Sequence, residues 1–243
     1  MKPKILIFII TYKASYRVYD LYKKIPFNFL KKYNYSIYAS DDMSNDDTTE
    51  YLLKIKKNLG KKFILNVNKF NLGYGGNIKK CLNFAYKNKF DYVVMLHGDN
   101  QYNPKYIFNM IKLFLDNKKI AAVVGSRMTN KIDALKGGMP IYKFIGNFVL
   151  TTLFNILYGT NFKDCHSGFW AYNINEISYR QFKKADNNFC FDIDTRLMLT
   201  DHNKTIKEIS IKTFYGDERS SFHVVYALRF FYKIFKFKIM RSI

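Results

Sequence analysis

The sequence predicts an α/β fold, a three-layer sandwich with a mostly parallel central sheet. Three observations carry this reading. Short apolar runs alternate with longer stretches of helical spacing through the first half of the chain, the βαβα pattern of a parallel sheet. Polar clusters follow three of those runs directly, at Asp41-Asp42, His97-Gly98-Asp99 and Ser126-Arg127. Ligands of such sheets sit beyond the carboxyl ends of the strands. Hydrophobic residues make up 48% of the 243 residues and aromatics 18%, which supplies a full domain core and excludes intrinsic disorder.

Taken in order, Ile5–Ile10 (ILIFII) predicts the first buried strand. The run is shorter than a signal-peptide core and far shorter than a membrane span. Ser36–Ser40 predicts a second strand, and Thr48–Asn58 a helix with Leu52, Leu53 and Ile55 inward. Phe63–Val67 predicts a third strand, followed by a glycine cluster and a helix over Asn77–Lys89. Tyr92–Leu96 (YVVML) predicts a buried strand, Pro104–Leu115 a helix and Ala121–Gly125 a further strand. No uninterrupted apolar stretch of about 18 residues appears, so no helix plainly crosses a bilayer. The nearest is Phe144–Leu157, which carries Asn147 and Asn155. No internal repeat or Pro/Gly/Ser-rich linker divides the chain.

Lys and Arg number 40 against 19 Asp and Glu, a formal net charge of +21. That excess favours an anionic partner: nucleic acid, an anionic leaflet or a phosphorylated substrate. The basic residues are scattered and no nucleic-acid-binding signature is present, so a nucleic-acid partner is not expected. Cys81, Cys165 and Cys190 form no CxxC pair, which suits a reducing compartment. The last stretch divides from the rest, giving a main domain over 1–221 and a basic amphipathic helix over 222–243. On a helical wheel Arg229, Lys233 and Lys236 share one face, while Val224, Leu228, Phe231, Ile234 and Phe235 form the other. Such a helix lies in a membrane interface or packs its apolar side on its own domain. The net charge favours the membrane, since anionic lipid contributes about 1 kcal/mol per nearby Lys or Arg.

Several clusters carry chemistry. ASDDMSNDDT (residues 39–48) places two acids at a strand end, where a carboxylate can accept from a nucleobase or ribose; a capped turn explains the same residues. NLGYGGN (71–77) lets backbone approach a ligand closely, and a plain glycine turn is an equal reading; it is neither a dinucleotide fingerprint nor a Walker loop. In LHGDNQYNP (96–104), Asp99 and Gln101 offer oxygen ligands suited to Mg2+ or Mn2+, and His97 can join them. DCHSGFWAY (164–172), FCFDIDTRL (189–197) and FYGDERSSF (214–222) complete the set.

In this order, with ITY at 10–12 and GSR at 125–127, the motifs resemble the family 2 glycosyltransferases of the GT-A fold (Rossmann-like nucleotide-diphospho-sugar transferases). Within them they are similar to the dolichyl-phosphate (polyprenyl-phosphate) mannosyltransferase-like branch, over roughly residues 4–222. The resemblance implies an inverting transferase that uses a nucleotide-sugar donor. It assigns Thr11 and Asp41, with Asp42 adjacent, to the nucleobase and ribose side, and Gly73 to the donor. Asp99 matches the second acid of the family's D-x-D motif and Gln101 the Gln that often follows. His97 stands where the first acid is usual, so the metal set becomes Asp99, Gln101 and His97, with imidazole shifting preference toward Mn2+.

Ser126 and Arg127 match the phosphate-supporting G-S-R, and Lys143 falls where the branch places another phosphate-binding cation. Asp164 and Ser167 belong to the active-site floor, with Trp170 where Arg is common. Asp192 and Asp194 match the acidic pair that holds the general base, and Asp194 matches best the residue facing the acceptor. Arg219 and Ser220 match a loop that closes over donor phosphates, with Phe222 in place of the usual Lys. The implied acceptor is a polyprenyl phosphate or a cell-surface glycan, and the implied location is cytoplasmic, peripheral on the inner face of the membrane. A catalytically impaired relative that binds nucleotide or lipid is the alternative, resting on His97 and Trp170. A nucleotidyltransferase is disfavoured because residues 9–15 contain no glycine. No sequence feature sets the oligomeric state.

Overall fold

The computed structural model describes residues 2–213, 215 and 224–242. Its strands are β1 (Lys4–Thr11), β2 (Asn34–Asp41), β3 (Phe63–Val67), β4 (Tyr92–His97), β5 (Ile120–Ser126), β6 (Trp170–Asn173) and β7 (Thr205–Ser210). Its helices are α1 (Arg17–Lys23), α2 (Phe27–Leu30), α3 (Thr48–Leu59), α4 (Tyr74–Lys87), α5 (Ile107–Asp116), α6 (Lys131–Lys136), α7 (Ile141–Tyr158), α8 (Tyr179–Phe182), α9 (Phe191–Asp201) and α10 (Val224–Ser242). One sheet runs β3-β2-β1-β4-β6-β5-β7. Four neighbouring pairs are parallel, and β6 lies antiparallel between β4 and β5.

The expected α/β sandwich is present, and its cause is visible in β1. Ile5, Ile7 and Ile9 enter one core layer, while Leu6 and Phe8 enter the layer on the other face. A strand covered on both faces needs a continuous apolar run. Leu53, expected inward, is 51% exposed, because α3 buries only the stripe containing Leu52 and Ile55. Helix α4 begins at Tyr74, upstream of the expected Asn77, so Gly75 and Gly76 lie inside its first turn.

A third apolar cluster joins α7, α9 and α10 through Leu150, Phe154, Ile193, Leu197, Phe230 and Ile234. Helix α7 corrects the expectation that no helix is apolar and long enough to span a bilayer. It starts upstream of Phe144, and among the described residues its 18 positions meet that requirement by length and composition. Only Leu150, Thr151 and Phe154 are buried. Ile141, Tyr142, Ile145, Phe148, Val149 and Ile156 are exposed.

Helix α10 divides its apolar residues differently from the expected wheel. Phe230 and Ile234 pack inward, whereas Leu228, Tyr232, Phe235 and Ile239 form an exposed stripe at helical spacing. Lys233, expected on the outer basic face, turns inward to two carboxylates on the domain. The tie between α7 and α10 includes a 2.6 Å hydrogen bond from the Tyr158 hydroxyl to the Ile234 carbonyl.

Candidate active site

The parallel strands bring the first motifs to one edge. Thr11 pairs in register with Asp41, and Ile10 with His97, so ITY, SDD and HGD stand side by side at the carboxyl ends of β1, β2 and β4. Gly98 permits this closeness: a Cβ there would lie 2.5 Å from the Thr11 methyl. The chain then turns through Asn100 at φ 64°. The Asp99 Oδ1 accepts the Gln101 N–H at 3.0 Å, which fixes the loop and leaves the second carboxylate oxygen for a ligand.

Beyond this edge lies a cavity of about 470 Å³. Its lining includes the polar side chains of His97, Asp99, Gln101, Arg127 and Lys143. It also includes Leu150 of α7, Ile193 of α9 and Tyr226, Ala227 and Phe230 of α10. Asp192 also lines it; Asp194 is not among the lining residues.

The polar part of the lining has defined electrostatics. Arg127 makes a two-point pair with Asp164, Nε to Oδ2 at 2.7 Å and Nη2 to Oδ1 at 3.0 Å, and its Nη1 donates to the Tyr215 hydroxyl at 3.2 Å. Burial alone pushes the Asp164 carboxyl up, but the Arg127 guanidinium and its hydrogen bonds outweigh that and hold it at about 2. Burial, reinforced by the Arg127 charge, lowers the Lys143 ammonium pKa. Two cations therefore face the same space as Asp99.

His97 is held neutral by burial, which lowers its pKa against the opposing pull of Asp99. Its Nε2 lies 3.0 Å from the Gly168 carbonyl. A carbonyl only accepts, so Nε2 carries the proton and Nδ1 keeps the lone pair. Among the described residues no three His, Cys, Asp or Glu side chains converge. A cation here would have Asp99, Gln101 and His97, with the rest of its shell from substrate oxygens. That donor set fits Mn2+ or Mg2+, which are commonly held by one or two carboxylates plus phosphate.

Other expected positions serve local structure. The Asp41 carboxylate is fully buried and accepts from the Ser44 and Thr49 hydroxyls at 2.5 and 2.6 Å. Asp42 accepts the Leu72 N–H and the Asn68 amide, both at 2.8 Å. The Thr11 hydroxyl donates to the Ser40 carbonyl at 3.1 Å. Ser126 accepts from the Thr129 hydroxyl, and the Ser167 hydroxyl accepts the Phe169 N–H. Thus Thr11, Asp41, Asp42, Ser126 and Ser167 are buried with their side chains engaged, and none is among the residues that line the cavity.

At Gly73 and Gly75 the missing Cβ makes room for another part of the chain. A Cβ there would lie 2.6 Å from the Asn187 carbonyl, and one on Gly75 2.3 Å from the Asp186 carbonyl. The backbone they admit is the protein's own. Asp194, expected to face the acceptor, has its Oδ2 engaged: it accepts from Lys233 at 2.6 Å and from the Asp186 N–H at 2.8 Å. Arg219 and Ser220 lie outside the described residues.

Two residues were not foreseen. Tyr74, inside NLGYGGN, donates its hydroxyl to Asp192 Oδ2 at 3.1 Å. Tyr215, inside FYGDE, receives Arg127 as described. Both sat within motifs singled out for other residues. Trp170, where Arg is common, is buried, and the guanidinium of Arg196 lies 5.0 Å from its ring.

A parallel sheet with one antiparallel insertion and an acidic loop beyond β4 defines a GT-A glycosyltransferase architecture. Residues 7–175 match Glycosyl transferase family 2, and the chain belongs to that family. It is a glycosyltransferase. An uncharacterized protein of Methanocaldococcus jannaschii is 30% identical over 86% of this chain and 84% of its own length. The UDP-N-acetylglucosamine–dolichyl-phosphate N-acetylglucosaminyltransferase of Methanococcus voltae is 26% identical over 87% of this chain and 89% of its own. The crystal structure of glucosyl-3-phosphoglycerate synthase from Mycobacterium tuberculosis with UDP has a TM-score of 0.69 at 12% identity, covering 97% of this chain and 80% of that one. At that identity the likeness concerns the fold.

Proposed function

We propose that this chain transfers a sugar, with inversion, from a nucleotide-sugar to a polyprenyl phosphate at an anionic membrane surface. The observation that carries this reading is the mixed lining of the cavity, which combines Arg127, Lys143 and Asp99 with apolar residues of α7 and α10. A lipid phosphate combines the same two chemistries, an anionic head and an apolar chain. The outer sides of the two helices support a membrane setting. Lys131 stands 4.5 Å from the ring of Phe148, and Lys236 5.4 Å from that of Tyr232. Exposed apolar stripes flanked by lysine suit an anionic interface. In this reading 1–221 performs the transfer, and 222–243 closes the acceptor side and lies against the cytoplasmic face of the membrane. The Methanococcus voltae relative, by its name, uses a dolichyl phosphate, which agrees.

Thr11, Asp41, Asp42, Gly73, Ser126 and Ser167 shape the donor side, and Arg219 and Ser220 are assigned to it by resemblance. Arg127 and Lys143 offset the charge that grows on the departing diphosphate, a preorganised electrostatic contribution. Bound by Asp99, Gln101 and His97, a divalent cation would supply Lewis-acid stabilisation of the same charge. A lipid phosphate is already ionised at neutral pH and attacks without a base.

One observation favours a second reading with a glycan hydroxyl as acceptor. Burial raises the Asp192 carboxyl to about 7, with the Tyr74 hydrogen bond partly opposing. A carboxylate at the cavity wall with that pKa suits a general base. Asp194, engaged by Lys233, suits it less.

The test is a screen of radiolabelled nucleotide-sugars with Mn2+ or Mg2+, offered farnesyl phosphate or an oligosaccharide. Metal-dependent transfer to farnesyl phosphate is the expected result. Nucleotide binding without any product would favour an impaired relative and overturn the proposal.

A further inference from the structure

We propose that Lys233 is a positioning residue, fastening the acceptor-side helix α10 to the donor-side glycine turn. The names of the two sides rest on the function proposed above; the contacts do not.

The Lys233 Nζ lies 2.6 Å from Asp194 Oδ2 and 3.2 Å from Asp186 Oδ2. All three side chains are no more than 23% exposed. One ammonium thus offsets two carboxylates. The same Asp194 oxygen accepts the Asp186 N–H at 2.8 Å, and Asp186 Oδ1 accepts the Asn188 N–H at 2.7 Å. The ion pair and these two bonds hold the turn at residues 186–188.

That turn supports the glycine loop. The Asn187 carbonyl accepts the Gly76 N–H at 2.9 Å. Gly73 and Gly75 lack a Cβ where one would strike the Asn187 and Asp186 carbonyls. From the loop, the Leu72 N–H reaches Asp42 at 2.8 Å, and the Asp42 N–H reaches the Thr11 carbonyl at 2.9 Å. Phe189 adds a packed route, its ring 5.5 Å from Tyr74 and 5.3 Å from Tyr226 of α10. From α10 to the end of β1 the segments are therefore joined by hydrogen bonds, an ion pair and ring contacts. The sequence motif NLGYGGN is explained by it: the glycines seat the turn that Lys233 holds.

Lys233→Met keeps the aliphatic stem and removes the charge, leaving Asp186 and Asp194 to repel. Hydrogen exchange of the whole chain, without any ligand, reads the effect. The variant is expected to speed exchange of the 71–77 amides about tenfold. Lys233→Arg restores protection. Lys236→Met, on the exposed side of α10, leaves it unchanged. Should Lys233→Met prove unfolded by circular dichroism, Asp186→Asn tests the same link while keeping an acceptor for the Asn188 N–H. Unchanged exchange at 71–77 in a folded variant would overturn the proposal. In the transfer assay, the donor KM is expected to rise about fivefold with kcat changed less than about twofold. Exchange still decides the matter if no nucleotide-sugar is turned over, so the two proposals fail separately.

Discussion

The Tyr74 hydroxyl and the Asp192 carboxylate meet at 3.1 Å on the wall of the cavity. The pair joins the glycine turn to helix α9, two motifs far apart in the chain. Burial pushes the Tyr74 hydroxyl up as well, so it stays protonated and donates. Asp192, raised to about 7, therefore titrates in the physiological range while its neighbour Asp194 is committed to Lys233.

Asp192 makes stability depend on pH in a stated direction. Its folded pKa of about 7 lies above the unfolded value of ~3.9, so the folded state holds the proton longer. Stability at this site is greatest below about pH 4 and falls as pH rises toward 7, where the loss levels off. Asp192→Asn removes the titration. The variant is expected to gain in Tm relative to the parent at pH 8 and to show no such gain at pH 4, measured by scanning calorimetry. The same variant separates the two acceptors: transfer to farnesyl phosphate persists, whereas transfer to a hydroxyl falls by about 100-fold or more.

The Arg127–Asp164 pair works in the opposite direction. The Asp164 carboxyl, held at about 2, contributes stability that is present above its unfolded pKa of ~3.9 and is lost as pH falls toward 2. Asp164→Asn leaves a buried guanidinium short of a charge partner and is expected to cost about 3–5 kcal/mol, read by urea unfolding at pH 7. A cost under about 1 kcal/mol would mean that the pair is not enclosed as described.

Much of the sheet was legible because its strands are covered on both faces. ILIFII and YVVML leave no polar position, and such runs declare themselves without partners. Strand β6 was not legible: Trp170–Asn173 is short, and it is a strand only because β4 and β5 flank it. Of the cavity lining, Asp99 and Arg127 follow from their place after strands. The contacts of Gly73 and Asp194 do not, because what each meets, Asn187 and Lys233, is fixed by tertiary packing. The inward turn of Lys233 could not be read from a wheel, which has no carboxylates on it.

His97 in place of an acid leads to a prediction about the metal. Its neutral imidazole adds no charge to the site, so Asp99 is the single carboxylate in the proposed ligand set. His97→Asp supplies a second carboxylate, and oxygen ligands favour Mg2+ where imidazole favours Mn2+ in relative terms. The variant is expected to be supported by Mg2+ at least as well as by Mn2+ in the transfer assay. Asp99→Ala is expected to abolish Mn2+ retention in the presence of UDP, followed by electron paramagnetic resonance. Retention unchanged by Asp99→Ala would place the cation elsewhere.

The outer stripes of α7 and α10 give the last prediction. Phe148 is 48% exposed and Phe235 43%, so neither holds the core together. A charge at either position leaves the cavity walls in place, since Leu150 and Phe230 face inward on the same helices. Burying a large apolar side chain contributes about 1.5–3 kcal/mol, and a carboxylate in its place is also repelled by anionic lipid. Phe148→Asp and Phe235→Asp are each expected to weaken sedimentation with phosphatidylglycerol vesicles by about tenfold or more, while transfer to a detergent-dispersed farnesyl phosphate stays within about twofold of the parent. High salt should weaken the parent's binding too, because the lysines beside Phe148 and Tyr232 act through a screened potential. Binding that survives both substitutions would show that these two helices do not face the bilayer.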